Sequence, residues 1–275
     1  MSRVAIVVLN WNGWTDTLKC VASLEALEFT DAQILLVDNA SGDDSVDQFH
    51  RCIPHIKLLE SGANLGFGGG CNVGIRHAMQ EGFEYIWLIN SDAQVAPDAL
   101  SELVRQAQSN QRIGAVGSVI YHADQPDRVQ VWGGGRVNVW LGTSHHQKGP
   151  GTVDFVSGAS VLLRTKALAE VGIFDSERFF MYWEDTDLGF RMRKAGWLLA
   201  VAPNSRVWHR ESSSLGQGSL QWDAFSVRSC VRFLRKHAPW PTVSISAMML
   251  RMLTKRILLR RWDRVAAVWQ AWRSA

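Results

Sequence analysis

The first 125 residues repeat one pattern, in which a short apolar run ends in a cluster of Asn, Asp, Ser and Gly and a helical pattern follows. Continuous apolar runs rich in β-branched residues are typical of parallel strands that helices cover on both faces. Strands that alternate with helices predict βαβ units and a mostly parallel sheet. The predicted strands are residues 4–9, 34–37, 56–59, 85–89 and 115–121. We therefore expect an α/β fold with a Rossmann-like sheet and flanking helices.

The remainder of the chain departs from this pattern. Residues 122–163 are rich in glycine and predict loops and antiparallel strands. Helical patterns return from about residue 164, a further strand is predicted at 198–202, and a helix is predicted from about residue 219. Apolar residues make up 47% of the chain and charged residues 20%, which excludes a disordered or fibrous protein.

The cysteines and the apolar runs bound the cellular setting. The four cysteines form no CxxC pair, so a zinc ribbon or a thioredoxin-type site is excluded. Their spacing indicates no disulfide framework, which favours a reducing compartment. The apolar run at the N-terminus is too short for a signal peptide and predicts a strand instead. No uncharged apolar stretch reaches the roughly 20 residues that a transmembrane helix needs.

Polar residues gather just after four of the predicted strands, at 10–13, 38–41, 64–70 and 90–92. Ligands of open parallel sheets bind outside the carboxyl ends of the strands, so four such clusters predict one site. The alternative is that Asn, Asp and Gly form ordinary turns there, which becomes weaker with each further cluster. The glycine-rich stretch 62–74 does not match the dinucleotide fingerprint, and the chain contains no P-loop motif.

The segment 174–197 contains the most informative acidic residues. Glu184, Asp185 and Asp187 directly follow the aromatic run 179–183. Carboxyl groups beside apolar surface are partly desolvated, which raises their pKa values and suits a general base. The alternative is an acidic first helical turn that interacts with the helix dipole, and it could hold for Asp187. His209, as an isolated histidine, is more often structural, and the pair His145–His146 is expected on the surface.

Six segments of the chain, taken in order, resemble the inverting family 2 glycosyltransferases, and most closely the rhamnosyltransferase-like branch of bacterial polysaccharide synthesis. They are VVLNWNG, LLVDNASGDDSV, NLGFGGGCNVGI, WLINSDAQV, the long segment from VSGASVLLR to RMRKAGW, and VAPNSRVWH. The resemblance covers roughly residues 3–235. It implies a GT-A fold with a catalytic domain at 1–227, in which about 1–121 binds the nucleotide sugar and 122–227 binds the acceptor.

The resemblance implies roles for the first polar clusters. Asn10 and Asp38 match residues that hold the nucleoside, with Asp38 near the base. An aspartate can accept the ring N–H of uracil or thymine, which fits a pyrimidine donor. Asn64 and Gly66 match the N-x-G segment beside the nucleotide.

The resemblance also implies a metal site and a catalytic base. Asn90 and Asp92 occupy the DxD position, where Asp92 would bind the Mg²⁺ or Mn²⁺ that bridges the donor diphosphate. Because Asn90 replaces the usual first carboxylate, the ion would rely on donor phosphates and water. Asp185, paired with Glu184, matches the catalytic base. His209 matches a second metal or diphosphate contact.

The implied reaction transfers a sugar with inversion from a dTDP- or UDP-linked donor to a hydroxyl of a glycan or lipid-linked acceptor. This is a hexosyltransferase activity, and dTDP-L-rhamnose is the first expectation for the donor. Two alternatives are another donor, such as a UDP-hexose, and a non-catalytic scaffold that binds nucleotide sugars. A nucleotidyltransferase is disfavoured because residues 10–13 include no Lys or Arg.

The end of the chain is strongly basic. Residues 228–275 carry 11 Lys and Arg and one acidic residue, Asp263. Met, Leu, Ile and Trp alternate with the basic residues, as in an amphipathic helix at an anionic lipid surface. We expect a basic helical tail on a cytoplasmic protein, peripheral on the inner face of the cell membrane. The alternative is a helical pair that packs on the catalytic domain. Nothing in the body of the chain favours nucleic acid.

Overall fold

The computed structural model describes residues 3–210 and 219–275, and strands alternate with helices through its first half. The strands are β1 (Val4–Asn10), β2 (Ala32–Asp38), β3 (Lys57–Glu60), β4 (Tyr85–Asn90), β5 (Ala93–Val95), β6 (Ile113–His122), β7 (Val129–Trp132), β8 (Gly134–Asn138), β9 (Thr143–His146), β10 (Phe155–Val156), β11 (Ser160–Arg164) and β12 (Leu198–His209). The helices are α1 (Trp14–Glu25), α2 (Ser45–Cys52), α3 (Gly66–Gln80), α4 (Ala99–Gln108), α5 (Thr165–Val171), α6 (Glu184–Lys194), α7 (Leu220–His237), α8 (Pro241–Leu258) and α9 (Trp262–Arg273).

The main sheet has the strand order β3-β2-β1-β4-β11-β6-β12-β5, with β7 paired to β6. The strands β1 to β4 run parallel, and β6 pairs in parallel with β12. β11 is inserted antiparallel between β4 and β6. The predicted α/β fold with a mostly parallel sheet is therefore confirmed. Antiparallel pairing dominates between residues 122 and 163, where β10, β8 and β9 form a second small sheet.

Strand β1 explains why the first pattern of the sequence folds this way. Its side chains point alternately to the two faces, and each face contributes to a separate buried apolar cluster. Ile6 and Val8 belong to one cluster, and Ala5 and Val7 belong to the other. A strand that is buried on both faces must be apolar at every position, so the run lacks the alternation of an exposed sheet.

Helix α3 lies unusually close to this sheet because glycines form its inner face. A Cβ atom at Gly70 would lie 2.5 Å from Leu9 Cδ1, and one at Gly74 would lie 2.5 Å from Val7 Cγ1. Larger residues would push the helix away from the strand. The glycine-rich stretch thus serves close packing, and it brings the start of α3 to the carboxyl edge of the sheet.

Strand β12 is longer than the predicted 198–202. The apolar pattern ends at Pro203, which has no N–H for a ladder hydrogen bond. The pairing with β6 is irregular between Ala202 and Arg206, and then resumes up to His209. This resumption carries His209 to the edge of the sheet, where it lies beside the end of β4.

The C-terminal helices form a third apolar cluster with the loop before α6. Val227, Val231 and Leu234 of α7 are buried there together with Phe179 and Trp183. Residue 228, the expected start of the tail, lies inside α7, whereas α8 and α9 pack on its outer side. Within residues 3–210 and 219–275, no helix has the length and apolar character needed to cross a bilayer.

An ion cluster fixes the end of α7 to α6. Asp187 is completely buried, and its carboxylate accepts hydrogen bonds from Arg191 Nε at 2.7 Å and His237 Nε2 at 2.7 Å. Lys236 Nζ lies 2.8 Å from the same carboxylate. The hydrogen bonds and charges of these partners lower the pKa of Asp187 to about 2, against the opposing effect of burial. Asp187 therefore holds two helices together.

Candidate functional site

A cavity of about 880 Å³ opens at the carboxyl ends of the parallel strands. Its wall combines residues of the polar clusters after β1, β2, β3 and β4 with residues from α6, α7 and the second sheet. The sequence-predicted site residues that line it are Asn64, Gly66, Asn90, Asp92, Glu184, Asp185 and His209. Four segments that are far apart in the chain thus meet in one site.

Asn10 and Asp38 are buried next to this cavity rather than in its wall. Asp38 Oδ1 accepts hydrogen bonds from Asn10 Nδ2 at 2.9 Å and Ser41 Oγ at 2.6 Å, and Oδ2 accepts one from the Ser41 N–H at 2.9 Å. Asn10 Oδ1 accepts a bond from Thr17 Oγ1. These bonds connect the loops after β1 and β2, so the two side chains shape the rim of the cavity.

Asn39, which follows Asp38, was not singled out from the sequence. Its side chain is buried, lines the cavity and joins the loop after β2 to the start of α3. Asn39 Oδ1 accepts from the Leu65 N–H at 3.0 Å, and Nδ2 donates to the Gly66 carbonyl and to Asn64 Oδ1, both at 3.2 Å. The sole sequence signal for a role of Asn39 in the site was its position within the predicted polar cluster 38–41.

Gly66 lies where the polar cluster after β3 meets the loop before α6. Its φ is +72°, and a Cβ atom there would lie 2.0 Å from the Phe180 carbonyl oxygen. The same oxygen accepts a hydrogen bond from the Phe67 N–H at 3.0 Å. Only glycine permits both the left-handed backbone and this close approach.

Asp185 and Glu184 occupy different environments within one turn. Asp185 Oδ2 accepts a hydrogen bond from the Gly158 N–H at 3.0 Å, and Oδ1 accepts bonds from the Thr186 N–H and hydroxyl at 2.6 and 3.1 Å. Glu184 Oε2 is buried without a hydrogen-bond partner among the described residues. A carboxylate that accepts several hydrogen bonds holds its charge more readily than one that accepts none.

The pKa values of both carboxyl groups are raised by burial. For Glu184, burial and the neighbouring Asp185 raise the pKa to about 8. For Asp185, burial raises the pKa, while its bonds to Gly158 and Thr186 and the charge of His146 oppose the increase. The pKa of Glu184, at about 8, keeps this group largely protonated at neutral pH, and Asp185, whose carboxylate accepts three hydrogen bonds, is the candidate for the base.

We expect Glu184→Gln to stabilise the protein increasingly as the pH rises. The raised pKa of Glu184 means that its contribution to folding is fully present below about pH 4.5 and is lost as the pH rises toward about 8. Glutamine does not ionise, so the Tm difference between variant and wild type should widen across this interval and then level off. Thermal unfolding at a series of pH values measures it. A Tm difference independent of pH would contradict the assignment of a raised pKa.

His209 and Asp92 form a site of suitable geometry for a divalent cation. His209 Nδ1 lies 2.9 Å from Gln130 Oε1, to which it donates, and Nε2 is the ring nitrogen that faces Asn90 and Asp92. Nε2 accepts a hydrogen bond from Asn90 Nδ2 at 3.1 Å and also lies 3.1 Å from Asp92 Oδ1. Two acceptor atoms thus face each other, an arrangement that a bound cation or a proton would stabilise.

The charges of the cavity also fit a cation. The described residues that line it include the acidic Asp16, Asp92, Glu184 and Asp185, and no Lys or Arg. Within residues 3–210 and 219–275, no group of three or more His, Cys, Asp and Glu side chains is arranged to hold a metal ion. Asp92 and His209 could therefore supply two ligands, and a bound ligand would have to supply others.

Two further cavity residues were not predicted as part of the site. His146, expected on the surface, is exposed but lines the cavity from β9, and its charge lowers the pKa of Asp185. Trp222, near the start of α7, lines the cavity together with Ser226. No local motif marks these residues, since only the packing of distant segments brings them to Asp185.

Comparisons with known sequences identify the family of the chain. The family model described as glycosyl transferase family 2 matches residues 5–172. The N-acetylglucosaminyl-diphospho-decaprenol L-rhamnosyltransferase of Mycobacterium tuberculosis is 31% identical over 263 residues, covering 86% of this chain and 85% of the relative.

Two solved structures share the fold. One is the mannosyltransferase PcManGT from Pyrobaculum calidifontis in complex with GDP-Man and Mn²⁺, with a TM-score of 0.62, 17% identity, and coverage of 98% of this chain and 73% of that one. The other is GalNAc-T7 with UDP, GalNAc and Mn²⁺, with a TM-score of 0.69, 14% identity, and coverage of 88% and 49%. The fold is thus GT-A-like, and the chain belongs to the family 2 glycosyltransferases.

Proposed function

We propose that this glycosyltransferase moves L-rhamnose from dTDP-L-rhamnose to a lipid-linked sugar diphosphate, with inversion at the anomeric carbon. The single observation that carries the proposal is a half-buried Asp185, hydrogen-bonded to Gly158 and Thr186, in the same cavity as the Asp92–His209 pair. The 31% identity to a mycobacterial rhamnosyltransferase supports the choice of sugar and acceptor. The activity would serve the synthesis of a bacterial surface polysaccharide.

Asp185 acts as the general base in this mechanism. It accepts the proton of an acceptor hydroxyl while that oxygen forms a bond to the anomeric carbon of the donor. The bond from that carbon to the nucleoside diphosphate breaks on the opposite face, so the configuration inverts. The Gly158 and Thr186 hydrogen bonds fix the orientation of the Asp185 carboxylate, so its free lone pairs face the cavity.

The leaving diphosphate develops negative charge, and the described residues that line the cavity include no Lys or Arg to offset it. Asp92 and His209 would hold Mg²⁺ or Mn²⁺, which supplies Lewis-acid stabilisation of the charge that develops on the diphosphate. Asn90 contributes an amide that orients His209 rather than a second carboxylate. Because a diphosphate is a good leaving group, Glu184 is not needed as a general acid, and its neutral form limits charge repulsion beside Asp185.

The nucleoside would lie against the loops after β1, β2 and β3. Asn39, Asn64 and Gly66 line the cavity there, and Asn10 and Asp38 order the loops behind them. The similarity to a rhamnosyltransferase, rather than a contact of Asp38 with the base, supports a pyrimidine nucleotide, with dTDP preferred and UDP as the alternative. We propose accordingly that about residues 1–121 form the donor half and 122–227 the acceptor half of a catalytic domain at 1–227.

Ligand-dependent thermal unfolding tests the donor. We would compare dTDP, UDP and GDP, and then dTDP-L-rhamnose, UDP-galactose and UDP-glucose, each with Mn²⁺ or with EDTA. A ligand at 100 times its Kd should stabilise the protein by about 2.7 kcal/mol. A Tm increase with dTDP compounds that requires Mn²⁺ supports the proposal. An increase with UDP compounds alone would replace rhamnose by another hexose, and binding without any sugar transfer would favour a non-catalytic scaffold.

We expect Gln130→Met to weaken Mn²⁺ binding. Gln130 fixes the tautomer of His209 through Nδ1, and the loss of such a contact typically costs 10–100-fold in metal affinity. Titration of Mn²⁺ in the presence of dTDP, followed by electron paramagnetic resonance, measures the affinity without any turnover. Gln94→Met, at an exposed position of β5, is the matched control. An unchanged Mn²⁺ affinity in Gln130→Met would contradict the role of His209 as a metal contact.

A membrane contact through α8 and α9 is the second part of the proposal. Val243, Leu250 and Ile257 are exposed and are spaced by seven residues, so they form one stripe along α8. Leu258, at 78% exposure, extends the stripe to the connection with α9. The complete apolar face, here called the α8–α9 face, comprises Trp240, Val243, Leu250, Ile257, Leu258, Leu259, Trp262 and Trp269.

The charges around this face support an anionic lipid partner. Arg251, Lys255 and Arg260 are exposed and form no ion pair with any residue in the described ranges. By contrast, the inward-facing Arg256 is bonded to the buried Asp223 of α7. Each basic residue near an anionic bilayer contributes about 1 kcal/mol to binding. Such binding would suit a lipid-linked acceptor.

We expect the double variant Leu250→Glu/Leu258→Glu to lose vesicle binding while it keeps its fold. The added carboxylates repel anionic lipid and cannot enter the acyl region. Flotation with phosphatidylcholine vesicles, with and without phosphatidylglycerol, measures binding. Leu198→Glu, a similarly exposed leucine on β12, is the control. Wild-type protein that fails to float with anionic vesicles would contradict the membrane contact.

A further inference from the structure

We propose that Tyr182 and Trp222 form an acceptor subsite that binds the pyranose ring carrying the attacking hydroxyl. This inference rests on the proposed function, since it assigns the acceptor side of the same cavity. It places a substrate-binding residue on α7, the helix that sequence patterns assigned largely to a basic tail. The acceptor class follows from the position, the chemistry and the backbone strain of this wall.

The position of the wall follows from the requirement for inversion. The leaving diphosphate would lie at Asp92 and His209, so the acceptor oxygen must approach from the opposite face, beside Asp185. Part of the cavity wall next to Asp185 does not come from the polar clusters after β1 to β4. This part includes Tyr182, Trp222 and Ser226. An acceptor positioned for deprotonation by Asp185 therefore contacts this wall.

The chemistry of the wall suits a sugar ring. The rings of Tyr182 and Trp222 lie edge to face, with centroids 6.2 Å apart, and both side chains are half-buried. Ser226 lies four residues after Trp222, so its hydroxyl is on the same face of α7. Aromatic surface with a few hydroxyl groups matches the apolar C–H face and the polar edge of a pyranose.

Charge distinguishes a neutral sugar from the phosphates of a lipid carrier at this wall. No Lys or Arg is present among the described residues that line the cavity, and Glu184 and Asp185 adjoin the wall. A diphosphate group placed there would lie beside two acidic side chains, with no Lys or Arg among the described lining residues. The wall therefore fits the neutral ring of the acceptor, and any phosphate of a carrier would lie outside it.

The backbone provides an independent indication of function. Tyr182 and Trp183 have φ values of +68° and +70°, which are unfavourable for residues with a side chain. Such strain persists only where surrounding contacts enforce it, and it concentrates at functional sites. Here the Phe180 carbonyl is bonded to the Phe67 N–H, and the Met181 carbonyl accepts a bond from Ser229 Oγ at 2.8 Å.

In the strained turn, the side chain of Trp183 lies in the core and that of Tyr182 lies at the cavity. Trp183 is buried, with its ring centroid 4.8 Å from that of Phe233 in α7. Tyr182 remains half-buried at the cavity, where it meets Trp222. Tyr182 also packs against the third apolar cluster, so a glycine at this position would relieve the backbone strain but lose that packing.

Steady-state kinetics with Trp222→Ala, Trp222→Phe and Tyr182→Gly test the subsite. The acceptor is an N-acetylglucosaminyl diphosphate on a shortened polyprenyl chain, and the donor is dTDP-L-rhamnose with Mn²⁺. We expect the acceptor KM to rise about tenfold in Trp222→Ala and Tyr182→Gly, with Trp222→Phe close to wild type. The Kd for dTDP should stay unchanged in all three, and the Tm of each variant shows whether it is folded.

Trp140→Ala is the control, because Trp140 is exposed and does not line the cavity. An unchanged acceptor KM in both Trp222→Ala and Tyr182→Gly would overturn the subsite and leave the proposed function intact. If the wild-type protein transfers no sugar to this acceptor under conditions where it binds dTDP, the proposed acceptor and the subsite fall together.

Discussion

Replacing Asp185 by Asn should reduce kcat by about 10²–10⁴-fold, the usual contribution of a general base. Asparagine keeps the shape of the side chain but cannot accept the acceptor proton. Donor binding should stay close to wild type, and the Tm should fall only modestly, because the amide NH2 cannot accept one of the N–H bonds that the two Asp185 oxygens receive. Single-turnover kinetics together with dTDP titration separate these effects.

The pH profile adds a second readout for the same residue. Burial raises the pKa of Asp185 above its ordinary value, so the acid limb of kcat/KM should lie above the usual aspartate range. That limb should disappear from the residual activity of Asp185→Asn. Glu184→Gln should retain most of the activity at neutral pH, because the pKa of Glu184 near 8 keeps this group largely protonated there.

Asp187→Asn is a matched control two residues further along α6. Its carboxylate does not line the cavity and instead forms ion pairs with Arg191 and Lys236 and a hydrogen bond with His237. Removing one partner of a buried ion cluster leaves the others uncompensated, so this variant should lose stability. Asp185→Asn should show the reverse balance, with lost chemistry and a smaller loss of stability. Equal kcat in Asp185→Asn and wild type would contradict the assignment of the base.

Removing the divalent cation should abolish transfer, and Asp92→Ala should reduce kcat/KM by about 10²–10³-fold. The described residues that line the cavity include four acidic side chains and no Lys or Arg, so little else offsets the charge of a diphosphate. EDTA followed by Mn²⁺ or Mg²⁺ measures loss and recovery of activity. Asp124→Ala, at an exposed position after β6, is the control. Full activity in EDTA would exclude a metal-dependent mechanism.

The fold was predictable from sequence where local pattern and burial agree. Strands such as β1 and β4 are apolar at nearly every position because both faces are covered, and the helices between them show one apolar face. The pattern failed at Pro203, because an interrupted strand resumes its pairing only through the partner strand β6. That resumption depends on tertiary structure and has no local signal.

The site was predictable in part for the same reason. Asn90, Asp92 and Asp185 stand next to strand ends or aromatic runs, which are local features of the sequence. Trp222 and His146 reach the cavity only because α7 and the small second sheet fold back toward α6, so neither could be recognised from its neighbours. A local cluster can also mislead. Asn10 and Asp38 share a cluster with cavity residues, yet their side chains bond to each other behind the wall.

Helix α7 crosses the predicted boundary at residue 228 between the catalytic domain and the basic tail, and it has two structural roles. Its inner face completes the apolar cluster around Phe179 and Trp183, and its end binds Asp187 of the base-bearing helix. The basic residues available to a membrane belong mainly to α8 and the connection to α9, where Arg251, Lys255 and Arg260 are exposed. The catalytic site and the proposed membrane contact are therefore linked through one helix.

The most direct test of the account is the anomeric configuration of the transferred sugar. Purified protein would be incubated with dTDP-L-rhamnose, Mn²⁺ and the lipid-linked N-acetylglucosamine diphosphate, and the product analysed by nuclear magnetic resonance. Direct displacement with Asp185 as the base predicts a rhamnosyl product whose anomeric configuration is opposite to that of the donor. Asp185→Asn should form almost no product. A product that retains the donor configuration would contradict direct displacement with Asp185 as the base.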